Sequence, residues 1–134
     1  MNIIEIGREG ENLARVVLQH FDCDIFQADW IVQKDEQWYI AEVKRKERFV
    51  PPPFEGHGLD RRQVEARLKF QQETGIRCFL LVFDLTDGNV YWQWLDVLND
   101  GRHFDTKKGI RIYPMESYNK LLSGKALEQI ARKS

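Results

Sequence analysis

Within ADWIVQKDEQWYIAEVKRK, residues 28–46, Asp29 heads one apolar run, and Glu42 and Lys44 stand at the tail of the next. Glu42 and Lys44 are two apart, so on an extended strand their side chains leave the same face and their charged heads converge. Twelve residues separate Asp29 from Glu42 and the polar KDEQ among them reads as a turn, so an antiparallel hairpin returns Asp29 to the neighbourhood of Glu42. Two carboxylates fixed on strands make a hard oxygen site for Mg²⁺ or Mn²⁺, ions that take few protein ligands and keep the rest of their shell as water. One such water can be the nucleophile, the ion polarising a phosphoryl oxygen while the Lys44 ammonium faces the negative charge that grows in the pentacovalent state. The competing reading is a same-face ion pair between Glu42 and Lys44, worth at most about 1 kcal/mol if exposed. Against it stand Trp38 and Ile40, which share that face. Burying charge beside them costs several kcal/mol unless something pairs it.

The surrounding elements must hold these residues in place. ENLARVVLQHF, 11–21, spaces Leu13, Ala14, Val17, Leu18 and Phe21 as a helix, with Gly7 and Gly10 permitting an irregular lead-in. CDIFQADWIV and WYIAEV flank the turn as strands, and the second has apolar residues on both faces, as a central strand does. RKERFVPPPFEGHG carries three prolines, two glycines and many charges, and is expected to be a loop that is mobile alone and orders on a substrate. His57 lies in it, with proton transfer or phosphate contact as minor roles. Asp60 is placed to cap a second helix, RRQVEARLKFQQET, ending at Gly75, with Val64, Leu68 and Gln71 on one stripe flanked by Phe70. IRCFLLVFDL reads as a buried strand, Gly88 as a turn, NVYWQWLDVL as a strand whose alternate aromatics fill a sheet face, IRIYP as a short strand, and a terminal helix is expected from about Tyr118. The expectation is one α/β domain over 1–134, a central mixed sheet with helices on both faces.

The order Asp29, twelve residues, Glu42-Val43-Lys44 resembles the PD-(D/E)XK nuclease superfamily. The resemblance implies a restriction-endonuclease-like core, hydrolysis of DNA phosphodiesters, and Mg²⁺ or Mn²⁺ held by Asp29 and Glu42. Glu11, in a Gly-x-x-Gly-Glu context similar to that of the archaeal Holliday-junction resolvases, matches the helix-borne glutamate that assists the metal. Read without the family, Glu11 is a favourable charge in a helix's first turn. Gln63 matches the glutamine that many members carry on the helix after the catalytic strand, where it would orient the water or the lysine. The match spans Gly7 to about Asp84. Ala28 stands where the family usually has proline, and Arg67 where members of the RecB type have tyrosine.

The chain of 134 residues carries 20 basic and 21 acidic side chains, so no global field draws it to nucleic acid. From Lys44 to Lys69, however, eight basic residues face four acidic ones. Arg45, Lys46, Arg48, Arg61, Arg62 and Lys69 are therefore the expected phosphate contacts, with Phe49 and Phe54 available to stack on bases. Each of these also has a plainer reading as solvated charge or core anchor. Two cysteines make no disulfide framework or zinc motif, and MNIIEIGREGEN is neither a secretion signal nor a membrane span. The function expected is a cytoplasmic, metal-dependent DNA endonuclease. The alternatives are a Holliday-junction resolvase acting as a homodimer, and a nucleic-acid-binding subunit that keeps the fold without turnover.

Overall fold

A computed structural model describes residues 3–23 and 28–133, with side chains from residue 10 onward. Helix α1 (Ile3–His20) is followed by strands β1 (Trp30–Lys34) and β2 (Gln37–Lys46), then β3 (Gly56–Asp60), α2 (Arg61–Thr74), β4 (Arg77–Asp84), β5 (Val90–Trp94) and α3 (Leu95–Asp100). The chain closes with β6 (Phe104–Asp105), β7 (Ile110–Pro114), a 3₁₀ turn (Met115–Ser117), β8 (Asn119–Leu122) and α4 (Gly124–Arg132). The architecture is the expected one, a central mixed sheet flanked by helices. Its five strands run β1-β2-β4-β5-β8, and β3, β7 and β6 form a second, antiparallel sheet. β2 and β4 pair in parallel, and the chain between them passes through β3 and α2.

The hairpin follows from local chemistry. Asp35 and Glu36 have φ of 52° and 66°, the two left-handed residues that a tight turn needs to match the twist of its strands. The resulting register pairs Trp30 with Ala41 and Ile31 with Ile40, so the residue before Trp30 is brought opposite the residue after Ala41. Asp29 and Glu42 are those residues. Part of the expected first strand, 24–27, lies outside the described residues.

The core fills the space between one face of the central sheet and α2, α3 and the second sheet. Ile40, Cys78, Leu80 and Val82 from β2 and β4 meet Leu59, Val64, Leu95, Leu98, Tyr113 and Tyr118, each large aliphatic side chain adding about 1.5–3 kcal/mol by burial. On the opposite face Val32, Tyr39, Phe79, Leu81, Trp92, Trp94 and Leu121 line an apolar hollow of about 500 Å³. The aromatics of β5 do fill a sheet face, and their rings stack edge-on, Trp92 on Trp94 at 5.4 Å. Along α1 and just beyond it, Leu13, Val16, Val17, Leu18 and Phe21 are all exposed.

Several boundaries differ from the sequence reading: among them, β1 begins at Trp30 rather than at Cys23, and β2 continues through Arg45 and Lys46, which the composition assigns to the loop. α1 runs through Gly7 and Gly10 from Ile3, so the glycines do not interrupt it. NVYWQWLDVL is β5 followed by α3, because Leu95 and Leu98, three apart, both turn into the core. The terminal helix starts at Gly124, after β8, with Ser123 accepting a bond from the Ala126 N–H. The largest difference is GHG, read as loop but found as the buried strand β3. A Cβ on Gly56 would collide with the Tyr113 carbonyl, and one on Gly58 with the Arg111 carbonyl. These glycines mark a close approach of two backbones rather than a turn. Gly58→Ala is therefore expected to cost about 3 kcal/mol or more, since a backbone cannot relax as a side chain can. Urea denaturation measures this, and an unchanged midpoint would contradict the packing of β3 on β7.

Candidate metal and phosphate site

Asp29 and Glu42 are brought together at the end of the β1–β2 hairpin remote from its turn. The Val43 N–H donates to Asp29 Oδ2 at 2.8 Å, which lays the aspartate beside its neighbour Glu42. Asp29 is exposed, whereas Glu42 is 2% exposed on the core-facing side of β2, level with Leu80 of β4. Lys44 leaves β2 on the same side, level with Val82, and is half-buried. Burial raises the Glu42 carboxyl above its ordinary 4.5; the hydrogen bond and charge of Arg67 pull the other way, Asp29 adds to the rise, and the net shift is upward.

Arg67, notable in the sequence only as standing where RecB-type members have tyrosine, is the partner of Glu42. Its Nε donates to Glu42 Oε1, and both side chains are buried. A visible signal existed: Arg67 lies three residues after Val64, the other buried position of α2, so a guanidinium occupies the helix's inward stripe. Gln63 stands one turn before Arg67 on α2, in the third helical position, and is half-buried. Asp60 caps the helix as expected, accepting from the Arg62 N–H at 2.8 Å, and Gly75 closes it with φ of 77°.

Two adjacent carboxylates, of which the buried Glu42 is raised, fit a hard divalent cation, and one oxygen of the pair is already taken by Arg67. Among the described residues no third His, Cys, Asp or Glu joins them, so Glu11, exposed on α1, is not part of the cluster in this conformation.

A second buried polar group lies further along the same sheet. Asp84, at the end of β4, accepts from His57 Nε2 at 2.9 Å, from Arg48 Nη2 at 2.9 Å and from the Thr86 N–H. Burial alone would raise the Asp84 carboxyl, but the bonds from His57, Thr86 and Arg48 outweigh it and hold it below its usual range. His57 is a core residue, not the loop histidine expected, and burial depresses its pKa against the pull of Asp84. Its Nδ1 is buried without a partner among the described residues, as suits a neutral ring that donates through Nε2.

This group also anchors the segment expected to be mobile. Arg48 spans Asp84 and Asp87, the latter at 2.7 Å, and its N–H donates to Thr86 Oγ1. Phe49 and Gly56 exchange backbone bonds, at 2.8 and 3.2 Å. Lys46 lies over the Phe49 ring and Arg102 over the Phe54 ring, so both aromatics are already stacked. Of the expected phosphate contacts, Arg45, Lys46, Arg61, Arg62 and Lys69 are exposed, while the Arg48 guanidinium is taken internally.

Arg67→Met leaves a buried carboxylate unpaired and is expected to cost about 3–5 kcal/mol, whereas Glu42→Leu combined with Arg67→Met restores much of the loss. Denaturation of the three proteins tests it, and a single variant as stable as wild type would mean that the pair is not buried in solution. His57 gives a pH signature. Its folded pKa lies below 6.5, so its contribution is complete above 6.5 and is lost as pH falls through the folded value, where the unfolded chain holds the extra proton. Glu42, raised above 4.5, has the opposite sign, contributing below 4.5 and fading as pH rises through its folded value. Comparison with His57→Gln isolates the histidine: wild type should lose more stability than the variant between about pH 7.5 and about pH 5. Parallel curves would show that His57 titrates normally.

Neither a protein-family model nor a curated protein sequence matches the chain. Among solved structures it is similar to that of Archaeoglobus fulgidus Hjc, a Holliday junction resolvase from an archaeal hyperthermophile, at 11% identity and a TM-score of 0.46, covering 86% of this chain and 97% of that one.

Proposed function

We propose that the protein is a metal-dependent DNA endonuclease that hydrolyses phosphodiester bonds. The observation that carries the reading is the pairing of Asp29 with Glu42 across the hairpin, one carboxylate exposed and the other buried, with Lys44 on the face of Glu42. Burying a carboxylate beside a second one costs folding energy, and a cation bound between them offsets that cost. Asp29 and Glu42 would hold Mg²⁺ or Mn²⁺, and Glu11 would assist directly or through water after a movement of α1. A bound ion of this kind supplies Lewis-acid polarisation of a phosphoryl oxygen and a water of lowered pKa.

The chain's own groups do the rest. Arg67 fixes the orientation of Glu42. Lys44 offers a compact ammonium to the charge that develops on the scissile phosphate. Gln63, one turn from Arg67 on a capped helix, would orient a water or the lysine. Arg45, Lys46, Arg61, Arg62 and Lys69 contact backbone phosphates, which fix the register of the duplex without reading its sequence. Arg48 contributes by holding the segment that follows Arg45 and Lys46 at the end of β2.

A second reading, nucleic-acid binding without turnover, is favoured by the Arg67 guanidinium that already neutralises Glu42. One assay separates them: incubation with Mg²⁺ or Mn²⁺ and a panel of single-stranded, duplex, flap and four-way-junction DNA. Cleavage that stops in excess EDTA supports the endonuclease, and cleavage of the junction alone, by a homodimer, would narrow it to a resolvase. Asp29→Asn should abolish cleavage with the fold intact, because Asp29 is exposed. Glu42→Gln should also abolish it, with some loss of stability through Arg67. Lys44→Ala should bind the metal yet cleave roughly 10²-fold slower. Full activity in EDTA or in Asp29→Asn would remove the metal site from the account.

A further inference from the structure

Lys107 and Lys108 had no part in the sequence reading, and the fold brings them to the start of α2. Asp60, Arg61, Arg62, Lys107, Lys108 and Gly109 line a polar cavity of about 340 Å³. Four of the six are cations. The one carboxylate, Asp60, is engaged as the helix cap, and Arg61 reaches Glu65 only at 3.8 Å between two exposed side chains.

The walls are held in place. The turn carrying the lysines is closed by bonds from the Gly109 N–H to the Thr106 carbonyl at 3.0 Å and from the Thr106 N–H to the Ile110 carbonyl at 2.8 Å. Thr106 Oγ1 also accepts from the Ile110 N–H at 3.1 Å. The Arg61 N–H donates to the Gly109 carbonyl at 2.8 Å, which ties this turn to the first residue of α2. A chain with net charge −1 thus gathers four exposed cations around one concavity, a local positive field that favours an anion there.

We propose that this cavity is a second phosphate-binding subsite, taking a nucleic-acid backbone phosphate a short distance from the one presented to Asp29 and Glu42. The inference rests on the nucleic-acid reading above and deepens it. Arg62 and Arg67 are five residues apart on α2, about 7.5 Å along its axis, so the cavity and the partner of Glu42 are held at a fixed separation. A phosphate gripped at the head of the helix therefore sets which bond meets the carboxylates. α2 is the rigid spacer, with Arg67 fixed to Glu42 at its middle and Asp60 capping its start.

The test measures binding in the Asp29→Asn background without divalent metal, so that it reads affinity and not cleavage. Duplex affinity is titrated against salt for the parent, for Lys107→Ala with Lys108→Ala, and for Lys125→Ala with Lys133→Ala as an equal loss of charge elsewhere. The first pair should flatten the log–log slope by up to about 1.8, a change of roughly tenfold in relative affinity between 50 and 200 mM salt, and the second pair should not. In parallel, the amide signals of Arg62 and Gly109 are followed by NMR with duplex, with inorganic phosphate and with a mononucleotide. The duplex should saturate them at far lower concentration than either small anion, and the response should vanish in the Lys107, Lys108 variant. Equal flattening by both pairs would reduce the effect to net charge, and an unmoved slope or unmoved amides would overturn the subsite. Saturation by inorganic phosphate or the mononucleotide as tightly as by duplex would also overturn it, assigning the cavity to a small ligand. Loss of cleavage in every metal assay together with the expected slope change would sink the endonuclease and leave the subsite standing.

Discussion

The burial of Glu42 is the constraint on which the site depends. A carboxylate at 2% exposure on a central strand forfeits its hydration, a penalty of several kcal/mol that has to be offset by a partner with good geometry. Arg67 is that partner, and it can reach Glu42 only if α2 lies across the sheet with its Val64–Arg67 stripe inward. The ion pair therefore couples the docking of α2 to the electrostatics of the site. It also explains why Asp29 can sit beside Glu42 without splaying the hairpin: part of the negative charge is already compensated.

The Asp84 group repeats the solution at the end of β4. Here a buried carboxylate is satisfied by a histidine, an arginine and a backbone N–H. Its effect is to fasten the segment after β2. Three prolines and many charges give that segment the composition of a free loop, yet Arg48 and His57 reach back to Asp84 from both sides of the prolines. Arg45 and Lys46, at the end of β2 just before this fastened segment, stay exposed.

Much of this was legible in the residues. The turn between the first strands, the cap at Asp60, the stop at Gly75 and the apolar run of β4 are local events, decided by backbone preferences and by which side chains avoid water. The facing of Glu42 and Lys44 follows from the period of a strand. Glycine was misread at β3, because the same residue serves a left-handed turn and a close backbone contact, and one sequence does not distinguish them. Leu95 to Asp100 became a helix because Leu95 and Leu98 had a core to turn into.

The sequence by itself determined the central strands, the capped helix and the proximity of Asp29 to Glu42, since a two-residue turn and antiparallel register fix which residues lie opposite. Only the tertiary structure decided the partners of the buried charges. Arg67 lies 25 residues from Glu42, His57 lies 27 from Asp84, and Lys107 and Lys108 are far in sequence from Arg61 and Arg62. Such pairings are set by desolvation and packing, which act on distance in space and leave no periodic trace along the chain.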